Sequence, residues 1–144
     1  MKIIKKNVYY CDHCKKRTLS GGSMKIHEKR CTANPDRECK MCDNKFNIRE
    51  ICDQLKKRFT ITEYIPETLG YSDTDTHLIE WIGEKITLRE VRNLVDNCPN
   101  CMLSVIRQCK FNYHYFKDFG KFDYKNEFNM MMAEKKSDNE SYNY

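Results

Sequence analysis

Cys11-Asp-His-Cys14, a gap of twelve residues, then His27-Glu-Lys-Arg-Cys31 is the stretch on which the fold of this chain turns. Two cysteines separated by two residues let one tight turn aim both sulfurs at a single point. A histidine and a cysteine four positions apart stand one helical turn apart, on the same helix face. The twelve residues between them are enough for a hairpin tip and the start of a helix. Zinc takes four nitrogen or sulfur donors in a tetrahedron, and short spacings of this kind deliver all four from one segment. Cys11, Cys14, His27 and Cys31 are therefore the expected ligands of a first zinc ion.

The rest of the chain calls for the same kind of support. Of 144 residues, 40% are apolar and 33% charged, with a mean hydropathy of −0.83. Small polar units rarely hold together on an apolar core alone. The nine cysteines are poor candidates for disulfides, because an odd count leaves at least one unpaired in any scheme. The N-terminus shows no apolar leader with a cleavage site. No apolar run approaches the roughly 20 residues needed to span a bilayer. A reducing, cytoplasmic setting is expected, where thiolates bind metal rather than each other.

Two further pairs, Cys39-Lys-Met-Cys42 and Cys98-Pro-Asn-Cys101, predict a second site and so two zinc ions per chain. The first pair reads as a knuckle turn. The second sits where a helix begins, with Cys98 at the cap, Pro99 in the first turn and Cys101 just inside, so free N–H groups favour thiolates there. A C-x-x-C at a helix start is also a redox pattern, but no βαβ context surrounds Cys98. Cys52 and Cys109 fall on apolar helical stripes and are expected as small buried hydrophobes; Cys52 is the first substitute should one of the four ligands be misassigned.

Helical spacing places Ile48, Ile51, Cys52, Leu55 and Phe59 on one stripe, and Met102, Val105, Ile106 and Cys109 on another. Thr87-Leu-Arg-Glu90 is a capping box leading into Leu88, Val91, Leu94 and Val95. A shorter helical piece is expected around Leu78, Trp81 and Ile82, and a loop over residues 60–76. Phe111, Tyr113 and Tyr115 alternate with polar residues and suit a strand. Asp123 caps an expected helix to Lys136, followed by a frayed tail. The aromatic run from Phe111 to Phe128 could offer a base-stacking platform or a protein-binding surface, but is expected mainly to complete a small core. The domain reading is 1–34 a finger, 35–116 a helical four-cysteine zinc domain, and 117–144 a C-terminal helix and disordered tail. The fold class is a small zinc-stabilised α+β protein.

Residues 9–31 resemble the ββα zinc finger in its Cys-Cys-His-Cys variant. Tyr9 stands where that family carries an aromatic, and Met24 where it carries a leucine. The family's inner aromatic falls at Thr18, with Leu19, one residue along, as the replacement. The resemblance puts base contacts at Ser20, Gly22, Ser23 and Ile26, none of which offers a bidentate fork to guanine or adenine. The knuckle joined to a cysteine pair at a helix start is similar to the treble clef, with a long helical insertion. The short, Lys- and Asn-rich style is similar to small zinc-finger proteins of bacteriophages.

Charge points to an anionic partner. Residues 1–60 hold 16 Lys or Arg against 7 Asp or Glu, a balance of +9 within a chain of formal net charge +5. Two loaded thiolate sites would bring the whole chain to about +2, leaving the basic N-terminal half in place. Lys15, Lys16, Arg17, Lys25, Lys29 and Arg30 are the expected contacts to nucleic-acid phosphates, without strong sequence readout. The alternative is a protein-interaction module, an inhibitor or adaptor of a host or partner protein. No paired carboxylates in a recognisable frame, phosphate loop or nucleophile elbow is legible, so neither an enzyme nor a small-molecule substrate is expected. The His and Asn pattern of a treble-clef metal nuclease is not legible around His114.

Overall fold

A computed structural model describes residues 1–64, 78–109 and 116–141. The finger begins with two short antiparallel strands, β1 (Tyr9–Tyr10) and β2 (Arg17–Thr18), paired Tyr9 to Thr18 and Tyr10 to Arg17. Helix α1 (Gly21–Arg30) follows, capped by Ser20, whose hydroxyl accepts from the Ser23 N–H at 3.3 Å. This cap satisfies one of the donors that every helix start leaves orphaned. The linker is a tight turn rather than a free tether. Asn34 donates from its side chain to the Glu28 carbonyl at 2.8 Å and accepts from the Asp36 N–H at 2.9 Å.

The second unit starts with α2 (Ile48–Lys56), capped by Asn47, with Ile48, Ile51, Cys52 and Leu55 buried as the stripe predicts. Then come β3 (Thr60–Tyr64) and β4 (Leu78–Ile82), antiparallel from Thr60 opposite Ile82 to Tyr64 opposite Leu78. This corrects two expectations. The stretch around Leu78, Trp81 and Ile82 is a strand, not a helix, and residues 60–64 are its partner rather than part of a loop. Both segments are rich in β-branched and aromatic residues, which favour a pleated surface. Residues 65–77 lie outside the described set. Gly83 closes the hairpin base where a Cβ would fall 2.5 Å from the Arg58 carbonyl oxygen and 2.7 Å from the Phe59 ring. Only a residue without a side chain fits that approach.

Strand β5 (Ile86–Thr87) leads into α3 (Leu88–Leu94), and α4 (Pro99–Cys109) packs across α2. β5 pairs in parallel with β6 (Phe116–Lys117). The strand expected over residues 111–115 lies outside the described residues. A 3-10 turn (Phe119–Lys121) precedes α5 (Tyr124–Ser141), where Asp123 accepts from the Asn126 N–H at 3.2 Å. α5 runs beyond Lys136, through residues expected to fray. The core comprises apolar residues of α2, β5, α3 and α4, with Ile86, Val91, Val95, Met102 and Val105 fully buried. Phe122, Phe128 and Met131 pack against its edge, so part of the aromatic run does complete the core. Arg92 of α3 forks onto Glu127 of α5 at 2.7 and 2.6 Å, both side chains half-buried. Such bidentate pairs hold orientation as well as distance.

The capping box at α3 is complete, with the Thr87 hydroxyl accepting from the Glu90 N–H at 3.2 Å and the Glu90 carboxylate from the Thr87 N–H at 3.5 Å. Replacing Thr87 with Ala is expected to cost about 1 kcal/mol. In a chain of this size thermal denaturation should fall by about 3 °C, with metal content unchanged. An unmoved midpoint would mean that the box contributes nothing.

The finger is docked on the second unit rather than strung beside it. The Gln108 side chain donates to the Thr32 carbonyl at 3.0 Å and to the Asn34 carbonyl at 2.9 Å, and Arg107 donates to the Thr32 hydroxyl at 2.7 Å. The Glu38 N–H donates to the Lys29 carbonyl at 2.7 Å. The Gln108 and Arg107 bonds join the linker to α4, and the Glu38 bond ties the start of the second unit to the last turn of α1. Among the described residues, no helix is long and apolar enough to cross a membrane.

Candidate metal centres

Cys11, Cys14, His27 and Cys31 converge so that one donor atom from each lies within 4.8 Å of the others. Cys14 Sγ stands 3.1 Å from His27 Nε2. The first two candidate ligands come from a knuckle. The Lys15 N–H donates to the Cys11 carbonyl at 3.0 Å and the Cys11 N–H to the Lys16 carbonyl at 2.8 Å. Lys15 takes a φ of 59° to make the turn. The other two ligands stand at the last turn of α1 and just past it, one helical turn apart.

Cys39, Cys42, Cys98 and Cys101 form the second cluster within the same limit. Cys39 and Cys98 sulfurs are 3.7 Å apart, and those of Cys42 and Cys101 3.5 Å. Four sulfurs at about 2.3 Å from a central zinc would stand about 3.8 Å apart along each tetrahedral edge. The side chains thus already lie near the vertices that a tetrahedral ion demands, and the all-sulfur donor set suits a soft or borderline metal. The first pair is again a knuckle. The Asn44 N–H donates to the Cys39 carbonyl at 2.9 Å, the Cys39 N–H donates to Asn44 Oδ1, and Asp43 and Asn44 take φ of 53° and 58°. Asparagine and aspartate tolerate that left-handed region better than most residues. The second pair opens α4, with the Cys98 carbonyl accepting the first helical bond from the Met102 N–H at 2.9 Å. Each group of four could hold a metal ion.

The thiols of each cluster are strongly interdependent. Donation from Cys101 and then Cys98 holds the Cys39 thiol far below its ordinary range, while that same sharing with Cys39 pushes Cys101 far above it. At Cys98, donation from Cys101 is outweighed by sharing with Cys39 and by burial, and the thiol rises to about 12. At Cys14, burial acts to raise the thiol, but the Lys16 backbone and the His27, Cys31 and Cys11 side chains together lower it to about 7. Burial leads the causes that raise Cys31 to about 11. In the second cluster the Cys39 thiolate forms readily while Cys98 and Cys101 resist, as expected where only a cation can neutralise several anions gathered at one point.

Cys52 and Cys109 belong to neither cluster. Both are buried in the core between α2 and α4. The Cys109 thiol donates to Cys52, which lowers Cys52 and, with burial, raises Cys109 far above its usual range. Of the four histidines, His13 is exposed on the first knuckle, and His77 and His114 lie outside the described residues.

Two features of the centres left no trace in the sequence. Leu19 does not fill the inner slot of the finger: it is 62% exposed, and the finger core is Met24 with Cys11 and Cys31, edged by Cys14 and Ala33. Leu19 lies one residue past β2, exposed to solvent. Arg37 is the second. Its guanidinium donates to the Arg30 carbonyl at 3.3 Å and reaches to 3.9 Å from Cys101 Sγ, so it links the end of α1 to the second cluster and sets positive charge beside its sulfurs.

Lys15, Lys16, Arg17, Lys25, Lys29 and Arg30 are all exposed. Ser20, Gly22, Ser23 and Ile26 are exposed too, but the Ser20 hydroxyl is engaged as the helix cap. Compared with protein-family models, with curated proteins and with solved structures, the chain finds no match.

Proposed function

We propose that the chain is a non-catalytic module held together by two zinc ions, a Cys-Cys-His-Cys finger and a treble-clef-like four-cysteine site, and that it binds nucleic acid by its phosphates. The observation that carries this is the state of the cations. In the second unit Lys45, Arg49, Arg58 and Arg92 are paired with carboxylates, while Lys40, Lys56, Lys57, Lys85 and Arg89 are spread over its elements outside the salt bridges of the described residues. Among the described residues none of Lys15, Lys16, Arg17, Lys25, Lys29 and Arg30 takes part in a salt bridge. Six exposed cations on one small finger, in no salt bridge among the described residues, form a surface ready to displace counterions from a polyanion. The absence of forked side chains at Ser20, Gly22, Ser23 and Ile26 argues for binding without base readout.

Counterion release makes the test quantitative. With six phosphate contacts on duplex DNA, log affinity should fall against log salt with a slope of about −5, a loss of about 10³-fold between roughly 50 and 200 mM. Replacing Lys25 and Lys29 with Ala should flatten that slope by about two while leaving sequence preference unchanged. Affinity that holds constant across this range, or a nuclease-resistant complex with a protein, would favour the protein-interaction reading instead.

A further inference from the structure

Between the C-terminal end of α1, the first knuckle of the second cluster and α5 lies a groove of about 580 Å³, within the size range of sites that take small ligands. Its floor is apolar and aromatic. Tyr124 and Phe128 stand one helical turn apart on α5, their ring centroids 5.8 Å apart, and Met132 continues the row one turn further on. Its rim is basic: Arg30 on the finger, Lys40 on the knuckle and Lys135 on α5, with Arg37 beside them and Glu38 the one carboxylate of the lining. The walls are fixed. Tyr124 donates its hydroxyl to Asn100 Oδ1 at 2.7 Å, Arg37 is tied to the Arg30 carbonyl, and Lys135 donates to the Met41 carbonyl.

We propose that this groove is a binding site for single-stranded nucleic acid, an unpaired base lying against the Tyr124, Phe128 and Met132 row while its flanking phosphates meet Arg30, Lys40 and Lys135. This rests on the nucleic-acid reading of the finger and gives that reading its substrate class. Charge complementarity names the occupant: four cations against one carboxylate select a polyanion. The apolar floor selects a polyanion that also carries flat, weakly polar faces, as an unstacked strand does. In duplex the bases are already stacked on each other, and a row of rings in a groove has nothing to receive. Arg30 belongs both to the finger's exposed cations and to the groove rim, so one strand could run continuously from α1 onto α5.

The experiment uses the full chain loaded with zinc. Binding is measured by fluorescence anisotropy at one low salt concentration to a labelled oligothymidine of about twelve nucleotides, the corresponding oligouridine and a duplex of equal length. The single strands carry a central 5-iodopyrimidine for photocrosslinking. Expected are single-strand affinity about tenfold above duplex and crosslinks to the peptide holding Tyr124, Phe128 and Met132. The double variant Met132→Asp, Lys40→Glu should weaken single-strand binding about tenfold. Both residues are exposed, Met132 to 48%, so zinc content and thermal midpoint should hold, and duplex binding with them. A thymidine or uridine preference then separates DNA from RNA as the source of the strand. Equal, salt-sensitive binding of duplex and single strand with crosslinks confined to residues 15–30 keeps the finger reading and overturns the groove. No binding of any oligonucleotide at low salt overturns both. A protein complex abolished by Met132→Asp, without oligonucleotide crosslinks in α5, also overturns the groove's assignment.

Discussion

Chelation is expected to unfold this protein in two steps, the finger first. The finger has almost no core of its own, since Met24 is its one buried side chain apart from the ligands. A single methionine contributes about 1.5–3 kcal/mol on burial, far less than ordering some twenty residues costs. Binding a structural zinc ion supplies about 10–16 kcal/mol in finger-sized peptides, so removal of the ion removes the fold. The first cluster is also the more open, with Cys14 and His27 half-buried, whereas Cys39, Cys98 and Cys101 of the second are buried. Titration with a competing chelator should therefore release one ion per chain with loss of the α1 helical signal. The second should follow more slowly with collapse of the remaining circular dichroism and of the cooperative thermal transition. Metal analysis alongside the spectra checks the order. A chain that contains no metal as purified and keeps its melting midpoint after exhaustive chelation would remove the basis of both centres.

The convergence of the two Cys/His clusters was legible because the spacing within each pair is local. The two-residue spacing of Cys11 and Cys14, and the four-residue step from His27 to Cys31, are set by turn and helix dimensions that no tertiary contact changes. Cys39, Cys42, Cys98 and Cys101 required a longer step, two pairs more than fifty residues apart, and followed from the chemistry of leftover thiols. The helices α2, α3 and α4 were legible for a similar reason, as their stripes and the Thr87 box repeat over enough residues to mark a period. What failed was short or long-range. Leu78, Trp81 and Ile82 satisfy a helical spacing over only five residues, a length at which helix and buried strand give the same pattern. The β-branched content of residues 60–62, with Thr60, Ile61 and Thr62, was the signal that could have identified the hairpin. Leu19 failed because the buried cluster of so small a finger closes on Met24, Cys11 and Cys31 without it. The docking of the finger through Gln108 and Arg107, and the reach of Arg37 to Cys101, join side chains to distant groups and leave no periodicity at all. The groove is invisible for the same reason, assembled from α1, the knuckle and α5.

Substituting Cys101 with Ser is expected to separate the two centres and to damage the protein more than any other single exchange in the second unit. The change is one atom, nearly isosteric, in a position with no room for solvent. A serine hydroxyl stays protonated where a thiol yields a thiolate, so it leaves three sulfurs to hold an ion that needs four donors. Cys101 is also the residue toward which Arg37 reaches and lies in the first turn of α4, the helix that carries Met102 and Val105 into the core. Loss of the ion therefore unpins the start of α4 and leaves the buried Cys39 and Cys98 and the half-buried Cys42 without a shared cation. The energy lost, on the order of 10 kcal/mol, is comparable to the whole stability of a domain, about 5–15 kcal/mol. The variant should thus retain one zinc ion, keep the finger, and lose the cooperative unfolding transition of the helical unit. Cys109→Ser gives the contrast. It too places a hydroxyl at a buried sulfur position, eight residues along the same helix, but outside either cluster. It should keep two ions and lose about 1–3 kcal/mol through the mismatched polar group. If Cys101→Ser and Cys109→Ser proved equally mild and both retained two ions, the four-cysteine centre would be misassigned. If Cys109→Ser instead lost an ion, a ligand would have to be sought among the sulfurs of the core.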